Sequence, residues 1–220
     1  MKSKEKLNGD RLWFCSDLHI NHSNVLFLNS GTRKFKDISE MNSWILEGLR
    51  RVPEGDTIID LGDMFWGMDS EEIKKFMDSI PCKNWYKVMG NHDKEKMYYP
   101  SQGIMHKYFK SIQDTLEVPV YTRDGGFYHV FASHTPSIDW PGMYRGGIHV
   151  YGHVHGHLDE WEKSNPRLMC DVGVDSHLAQ SFGTPVLRFT DIIEYLKTKT
   201  GGLSFGKWIG SKFGDGKVQL

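Results

Sequence analysis

Short apolar runs in this chain keep ending in acid, imidazole or amide side chains, and helix-like stretches separate the first three of them. Leu12-Trp13-Phe14-Cys15 reads as a buried strand and runs into Asp17 and His19. Thr57-Ile58-Ile59 is β-branched and leads through Asp60 and Leu61 to Gly62-Asp63. Trp85 to Met89 runs into Gly90-Asn91-His92-Asp93. Between these runs, Asp37 with Glu40 and Asp69 with Glu72 have the spacing of capping boxes. Met41, Trp44, Ile45 and Leu49 follow the first at helical spacing. Ile73, Phe76, Met77 and Ile80 follow the second, and Pro81 marks its end. Strand and helix alternating at this interval argue for an α/β architecture with parallel strands.

The middle of the chain changes character. Val118 to Thr122 and Phe127 to Ala132 flank Asp124-Gly125-Gly126, the signal of an antiparallel hairpin whose second strand ends at Ser133-His134. Ile148 to Tyr151 is a further strand, ending in Gly152-His153-Val154-His155. Leu168 to Val174 is another, ending near Asp175, and Thr190 is expected to cap a short helix from Asp191 to about Lys197. Residues 200–220 are rich in Gly and Lys and read as an extension appended to one domain over residues 1–199. An arm that tracks phosphates is the sharper alternative for that tail.

Composition narrows the class of protein. At 220 residues, with 39% hydrophobic and 25% charged content, the chain suits one large domain with a real core. Its charge is 27 − 28 = −1, so no basic excess announces a nucleic-acid or membrane binder, and an anionic substrate must be attracted locally. Cys15, Cys82 and Cys170 form no Cys-x-x-Cys pair, which argues for a reducing compartment and against a disulfide frame or zinc ribbon. The apolar run after the basic start is too short for a signal peptide, and no stretch approaches the length of a membrane span. The expected location is the cytoplasm.

Five strand candidates therefore end in groups that bind hard or borderline metals: Asp17 with His19, Asp63, Asn91 with His92, His134, and His153 with His155. A lone His-x-His is ambiguous, because a solvated strand edge can carry the same pattern. Five such endings are another matter, since sites in open α/β sheets gather beyond the carboxyl ends of strands. Mixed carboxylate, imidazole and carbonyl-oxygen ligands suit manganese, iron or zinc better than calcium or magnesium alone. The ligand count exceeds what one ion with open positions needs, so two ions are implied.

Asp17-x-His19, Gly62-Asp63, Gly90-Asn91-His92-Asp93, His134 and Gly152-His153-x-His155 resemble, in order, the five motifs of the calcineurin-like metallophosphoesterases. The resemblance spans roughly Leu12 to Asp175. Within the superfamily, the segments from Asp17 to Asn24 and from Asp171 to Asp175 are similar to a small single-domain phosphoesterase group of bacteria and their viruses. It implies a two-sheet β-sandwich flanked by helices, with a dinuclear metal site at the strand ends. By that likeness Asp17, His19 and His155 hold one ion, Asn91, His134 and His153 hold the other, and Asp63 bridges both. The implied cofactors are two divalent ions, manganese first, with iron, zinc, nickel or magnesium as alternatives. The implied reaction is hydrolysis of a phosphate ester by a metal-bound hydroxide. Two cations about 3.5–4 Å apart clamp the attacking and departing oxygens and bring the pKa of a shared water toward roughly 7. His92 then protonates the leaving oxygen, and Asp93 orients His92.

Further candidates lie outside these motifs. His22 is expected to touch substrate or a metal-bound water, and Arg33 to neutralise a phosphate oxygen, with a solvated rim as the plainer reading of Arg33. His157, His177 and Asp175 read as surface or supporting groups, and His129 and His149 as structural histidines inside strands. The protein phosphatases of the superfamily carry an arginine shortly after Gly-Asp and end their histidine motif in Glu. Here Met64-Phe65-Trp66-Gly67 and Asp93 stand in those places, which disfavours phosphoproteins. The expected partner is a phosphorylated small molecule or nucleotide, with nucleic acid open and no membrane. Phosphodiesters of nucleotide or nucleic-acid type are favoured; a phosphomonoesterase and a non-catalytic scaffold of the same fold are the alternatives.

Overall fold

The run Leu12–Cys15 is buried on both faces, and each face meets a different layer. In the computed structural model, which describes residues 5–98 and 103–199, it is strand β2 of ten strands arranged in two five-stranded sheets. The strands are β1 (Leu7–Asn8), β2 (Leu12–Cys15), β3 (Thr57–Asp60), β4 (Asn84–Val88), β5 (Phe109–Gln113), β6 (Thr115–Tyr121), β7 (Phe127–Ser133), β8 (Ile148–Tyr151), β9 (Met169–Asp171) and β10 (Leu187–Arg188). The helices are α1 (Val25–Leu28), α2 (Ile38–Arg50), α3 (Ser70–Asp78), α4 (Glu95–Tyr98), α5 (Asp159–Ser164), α6 (His177–Phe182) and α7 (Phe189–Lys199).

One sheet runs in the order β10-β2-β3-β4-β5, with β2 to β5 parallel and β10 antiparallel at its edge. The other runs β1-β6-β7-β8-β9, with β6 and β7 as the antiparallel hairpin and β7, β8 and β9 parallel. Period-two alternation sorts the side chains. Leu12 and Phe14 point into the core between the sheets, with Ile59, Val88, Val118, Val130, Ile148 and Val150. Trp13 and Cys15 point the other way, into the layer with Met41, Ile45, Leu49, Ile73 and Met77 of α2 and α3. Sheet on sheet with helices outside is the two-sheet α/β sandwich that the sequence pattern and the family likeness led us to expect.

Helices α2 and α3 start where their caps predict. Asp37 accepts from the Glu40 amide at 3.0 Å, and Asp69 with Glu72 closes a full capping box. The apolar stripe of α2 is wholly buried at Met41, Ile45 and Leu49, so truncating Ile45 to Ala would cost about 2–5 kcal/mol. Other expectations are corrected. The strand expected from Leu168 to Val174 pairs only over Met169–Asp171, and the chain beyond it bends so that Gly173 bridges Ser16. Thr190 does not cap the last helix but lies inside it, because the helix already begins at Phe189. Short edge strands β1, β5 and β10 carried too little apolar pattern to be read from sequence.

The three cysteines are free and buried. No helix among the described residues is long and apolar enough to cross a membrane. The tail expected at residues 200–220 lies outside the described residues.

Parallel strands direct their carboxyl ends to one side. Asp17, His19, Asp63, Asn91, His134, His153 and His155 all stand no more than four residues past the end of β2, β3, β4, β7 or β8. Two sheets thus deliver seven polar side chains to one edge of the sandwich.

Candidate metal centre

These side chains converge. Ligand-type atoms of Asp17, His19 and His155 lie within 4.8 Å of one another, and so do those of Asp17, Asp63 and His134. Oδ2 of Asp63 lies 3.8 Å from Nε2 of His19 and 3.4 Å from Nε2 of His134, between the two groups. Oδ1 of Asn91 is 2.9 Å from the same His134 nitrogen, and the exposed His153 ring stands 5.0 Å from the His134 ring. Seven scattered residues become one cluster.

Backbone conformation shows what this convergence costs. Among the described residues, the non-glycine positions with positive φ are Asp17, His19, Asn21, Asp63, His153 and His155. Five of these six are expected ligands. Such a conformation is disfavoured for residues with a Cβ and clusters at functional sites. The turns are held by backbone pairing between motifs: the Asp17 amide donates to Gly62 O at 2.9 Å and the His19 amide to Asp63 O at 3.0 Å. Gly62 cannot be larger, since at φ 114° its Cβ would come within 2.6 Å of Nδ1 of His134 and 2.7 Å of Gly90 Cα.

Both carboxylates follow one plan. Asp17 Oδ2 accepts from the His153 amide at 2.8 Å, while its buried Oδ1 has no hydrogen-bond partner among the described residues. Asp63 Oδ1 accepts from the His92 amide at 2.8 Å, while Oδ2 faces His19 and His134. One oxygen fixes the carboxylate and the other is left for the centre.

The imidazoles are arranged likewise. Nδ1 of His134 meets Leu61 O at 2.8 Å and Nδ1 of His155 meets Asp175 Oδ2 at 2.6 Å. A ring whose Nδ1 donates to such a partner presents Nε2 as an acceptor. Lone pairs of Asp63, Asn91 and His134 on one side, and of Asp17 and His155 on the other, then face one another with no donor between them. Both ring nitrogens of His19 are buried and unpartnered among the described residues. Buried acceptors left without partners are costly, and a divalent cation relieves that cost directly. The donor set fits divalent metal ions.

Charge preferences agree with this arrangement. Burial, then the Arg33 charge, pushes His19 down to about 3, so its imidazole is neutral as a ligand requires. Burial would raise the Asp63 carboxyl, yet the hydrogen bond and charge of His134 hold it at about 2. Burial also works against a charged His134, but Asp63 and Asp17 together raise its pKa.

His92 is exposed; its ring packs against Trp66 at 5.1 Å and His19 at 5.7 Å. Asp93 does not turn its carboxylate toward that ring. It is buried and accepts from the amides of Asp63 at 3.0 Å and Gly90 at 2.9 Å, and from Tyr98 at 2.9 Å. Lys87, fully buried within β4, pairs with Asp93 at 2.7 Å and with Asp60 on the neighbouring strand. Asp93 therefore braces the Asp63 turn instead of orienting His92. Sequence reasoning passed over Lys87 and Asp60; a lysine between Tyr86 and Val88 in a strand that must be buried on both faces was the available signal.

Arg33 is likewise corrected. It is neither a rim residue nor a phosphate contact, being 1% exposed with its guanidinium on Asp175 at 2.9 Å and on the carbonyl oxygens of Asp17 and Leu18. Burial pairs it with a carboxylate because an unpaired guanidinium inside would be prohibitive. Asp175, which we expected at the surface or in a supporting role, is its partner and the support of His155. His22 lies beside the centre, 5.3 Å from the His19 ring, and stacks on Trp66. His149 is buried and held down to about 4 by burial, as a structural histidine would be.

A family model described as calcineurin-like phosphoesterase matches residues 10–191 of the chain. The Gene 66 protein of Mycobacterium phage D29 is 24% identical over 181 residues, covering 75% of this chain and 88% of the phage protein. A crystal structure of a protein of unknown function, AQ665 from Aquifex aeolicus, superposes with a TM-score of 0.54 at 24% identity. It covers 78% of this chain and 91% of its own, a likeness of fold.

Proposed function

The chain belongs to the calcineurin-like phosphoesterase family, whose members hydrolyse phosphoesters with divalent metals, and we propose that it is a dinuclear phosphodiesterase. One observation carries the reading: Asp17 and Asp63 each have one oxygen fixed by an amide from a different motif and one facing a group of imidazole nitrogens. Such a site binds cations and little else.

In this reading Asp17, His19 and His155 would hold one ion, and Asn91, His134 and His153 would hold the other. Asp63, whose Oδ2 faces both His19 and His134, would be shared and would offset the repulsion between the ions. Neutral Asn91 limits the negative charge, so that the loaded site still attracts a phosphate. When bound, the ions would supply Lewis-acid polarisation of the phosphoryl group and a water ionisable at about pH 7. His92, exposed beside His19 and tied through its amide to Asp63, is the general acid for the leaving oxygen. Asp93 and Lys87 keep the Asp63 turn in place from beneath. Residues 1–199 are assigned as the catalytic domain, with 200–220 as an extension. A diester is preferred because no arginine follows Gly62-Asp63 to neutralise a second phosphate charge.

The test is hydrolysis of bis-p-nitrophenyl phosphate and p-nitrophenyl phosphate with added manganese, before and after chelation. Metal-dependent turnover favouring the diester is the expected result. A monoester preference would reverse the substrate assignment, and no turnover of either by a fully metallated sample would favour the scaffold.

A further inference from the structure

Next to His92 a cavity of about 400 Å³ opens, lined in part by Phe65, Trp66, Met68, Lys94 and Met97. Its volume lies within the roughly 300–1,000 Å³ range of small-molecule sites. Trp66 is 38% exposed, as Trp161 is at 43%, but of these two exposed indoles it is Trp66 that lines a cavity beside the cluster. The indole is nonetheless held in position. Its amide donates to Ile20 O at 2.9 Å, and its ring lies parallel to His22 at 3.9 Å and 10°. A preset flat surface beside a reactive centre is a recognition element.

We infer that this cavity is a nucleobase subsite with Trp66 as its stacking wall, so that the departing group is a nucleoside. The inference rests on the phosphoesterase reading above and names its substrate class. Position supports it first: the cavity includes His92, the group assigned to the leaving oxygen, so whatever leaves occupies it. Reach supports it next. The indole centre is 6.4 Å from the His19 ring, a gap that a pentose can bridge between a phosphate at the centre and a base on the indole.

Wall chemistry chooses among occupants. An acyl chain has no flat face to match a fixed aromatic plane, whereas a heteroaromatic disc gains a stack on the indole and soft thioether contacts from Met68 and Met97, which also line the cavity. Base stacking is also tolerant of base identity, so the subsite selects nucleosides as a class more than one base among them. His22 thereby acquires a role distinct from metal or phosphate: it forms the bottom of the stack, and a bound base extends it.

The experiment is calorimetric titration of the manganese-loaded protein with adenosine 5′-methylenephosphonate and with the matching ribose phosphonate, whose C–P bonds resist hydrolysis. The adenosine compound should bind at least about tenfold more tightly, the gain that one stacked base confers. Trp66→Leu, which keeps apolar bulk but loses the plane, should bring the ratio close to one, and Trp66→Phe should retain most of it. Circular dichroism and the melting temperature establish that each variant is folded. Equal binding of the two compounds, binding of neither, or a ratio unmoved by Trp66→Leu in a folded variant would overturn the subsite. Failure of the family reading looks different: no hydrolysis of bis-p-nitrophenyl phosphate, whatever the binding ratio.

Discussion

The Asp175 carboxylate stands 2.6 Å from Nδ1 of His155, while Nε2 of the same ring lies 3.8 Å from Oδ1 of Asp17. One face of the imidazole is thus spent on orientation and the other on the centre. Asp175 also accepts from Thr32 and from Arg33, and these partners hold its carboxyl well below the usual carboxylate range although burial works against them. Replacing it by Asn keeps the size but removes the charge that fixes the ring. Groups in this position typically contribute about 10–100-fold to metal affinity. Asp175→Asn should therefore need correspondingly more manganese for half-maximal activity, measured by metal titration after dialysis. An unchanged metal requirement would remove Asp175 from the support of the site.

Arg33 gives a prediction of a different kind. Its charge is buried against Asp175 and two carbonyl oxygens, so Arg33→Met removes the guanidinium from all three and leaves Asp175 with only Thr32 and His155. Breaking a buried pair in this way costs about 3–5 kcal/mol. The loss should appear as a lower melting temperature and weaker metal retention, with the KM for a diester little changed in the folded protein. A KM that rises tenfold with stability intact would return Arg33 to the substrate.

What sequence could and could not convey follows from the range of the interactions. The seven expected ligands were legible because each closes a strand-like run, and parallel strands carry their ends to one place. Asp63 was readable as a shared group only through the family likeness; its position between His19 and His134 is a three-dimensional fact. Arg33 was misread because its partner lies 142 residues away and a basic residue in a polar loop looks solvated. Lys87 and Asp60 escaped notice for the same reason: each is an anomaly in a buried strand until the other is seen across the ladder. Asp93 shared a motif with His92, and adjacency suggested a contact that the turn does not make.

Asp63→Asn tests the shared position. Its Oδ2 lies within 3.8 Å of His19 and 3.4 Å of His134, so loss of the charge weakens both groups at once. Metal analysis after gel filtration should find both equivalents reduced relative to the unaltered protein. Loss of one equivalent with the other retained would confine Asp63 to a single ion.

His92→Ala separates acid from ligand. The ring makes no hydrogen bond to the candidate ligands among the described contacts, so metal content should be preserved. Turnover should fall by about 10²–10⁴-fold for diesters with poor leaving groups. The fall should be smaller for p-nitrophenyl esters, whose departing phenolate needs little protonation. A metal-free variant would make His92 a ligand and leave the acid unassigned.

Lys87 is tied to the candidate centre through Asp93. It pairs with Asp60 at 2.5 Å and with Asp93 at 2.7 Å in a fully buried position, and Asp93 in turn holds the Asp63 and Gly90 amides. Lys87→Met removes the only charge balancing two buried carboxylates in this group, and burial already raises the Asp60 pKa to about 6 with the lysine present. Stability should fall by about 3–5 kcal/mol in denaturant unfolding. In Lys87→Met/Asp60→Leu one of the two stranded charges is gone, so much of that loss should be recovered. Asp93 would still lack its cation, and the Asp63 turn would still be loosened. The double variant should then melt clearly above Lys87→Met yet bind manganese more weakly than the unaltered protein. Full recovery of metal affinity along with stability would show that the buried lysine serves the fold alone, with no influence on the centre above it.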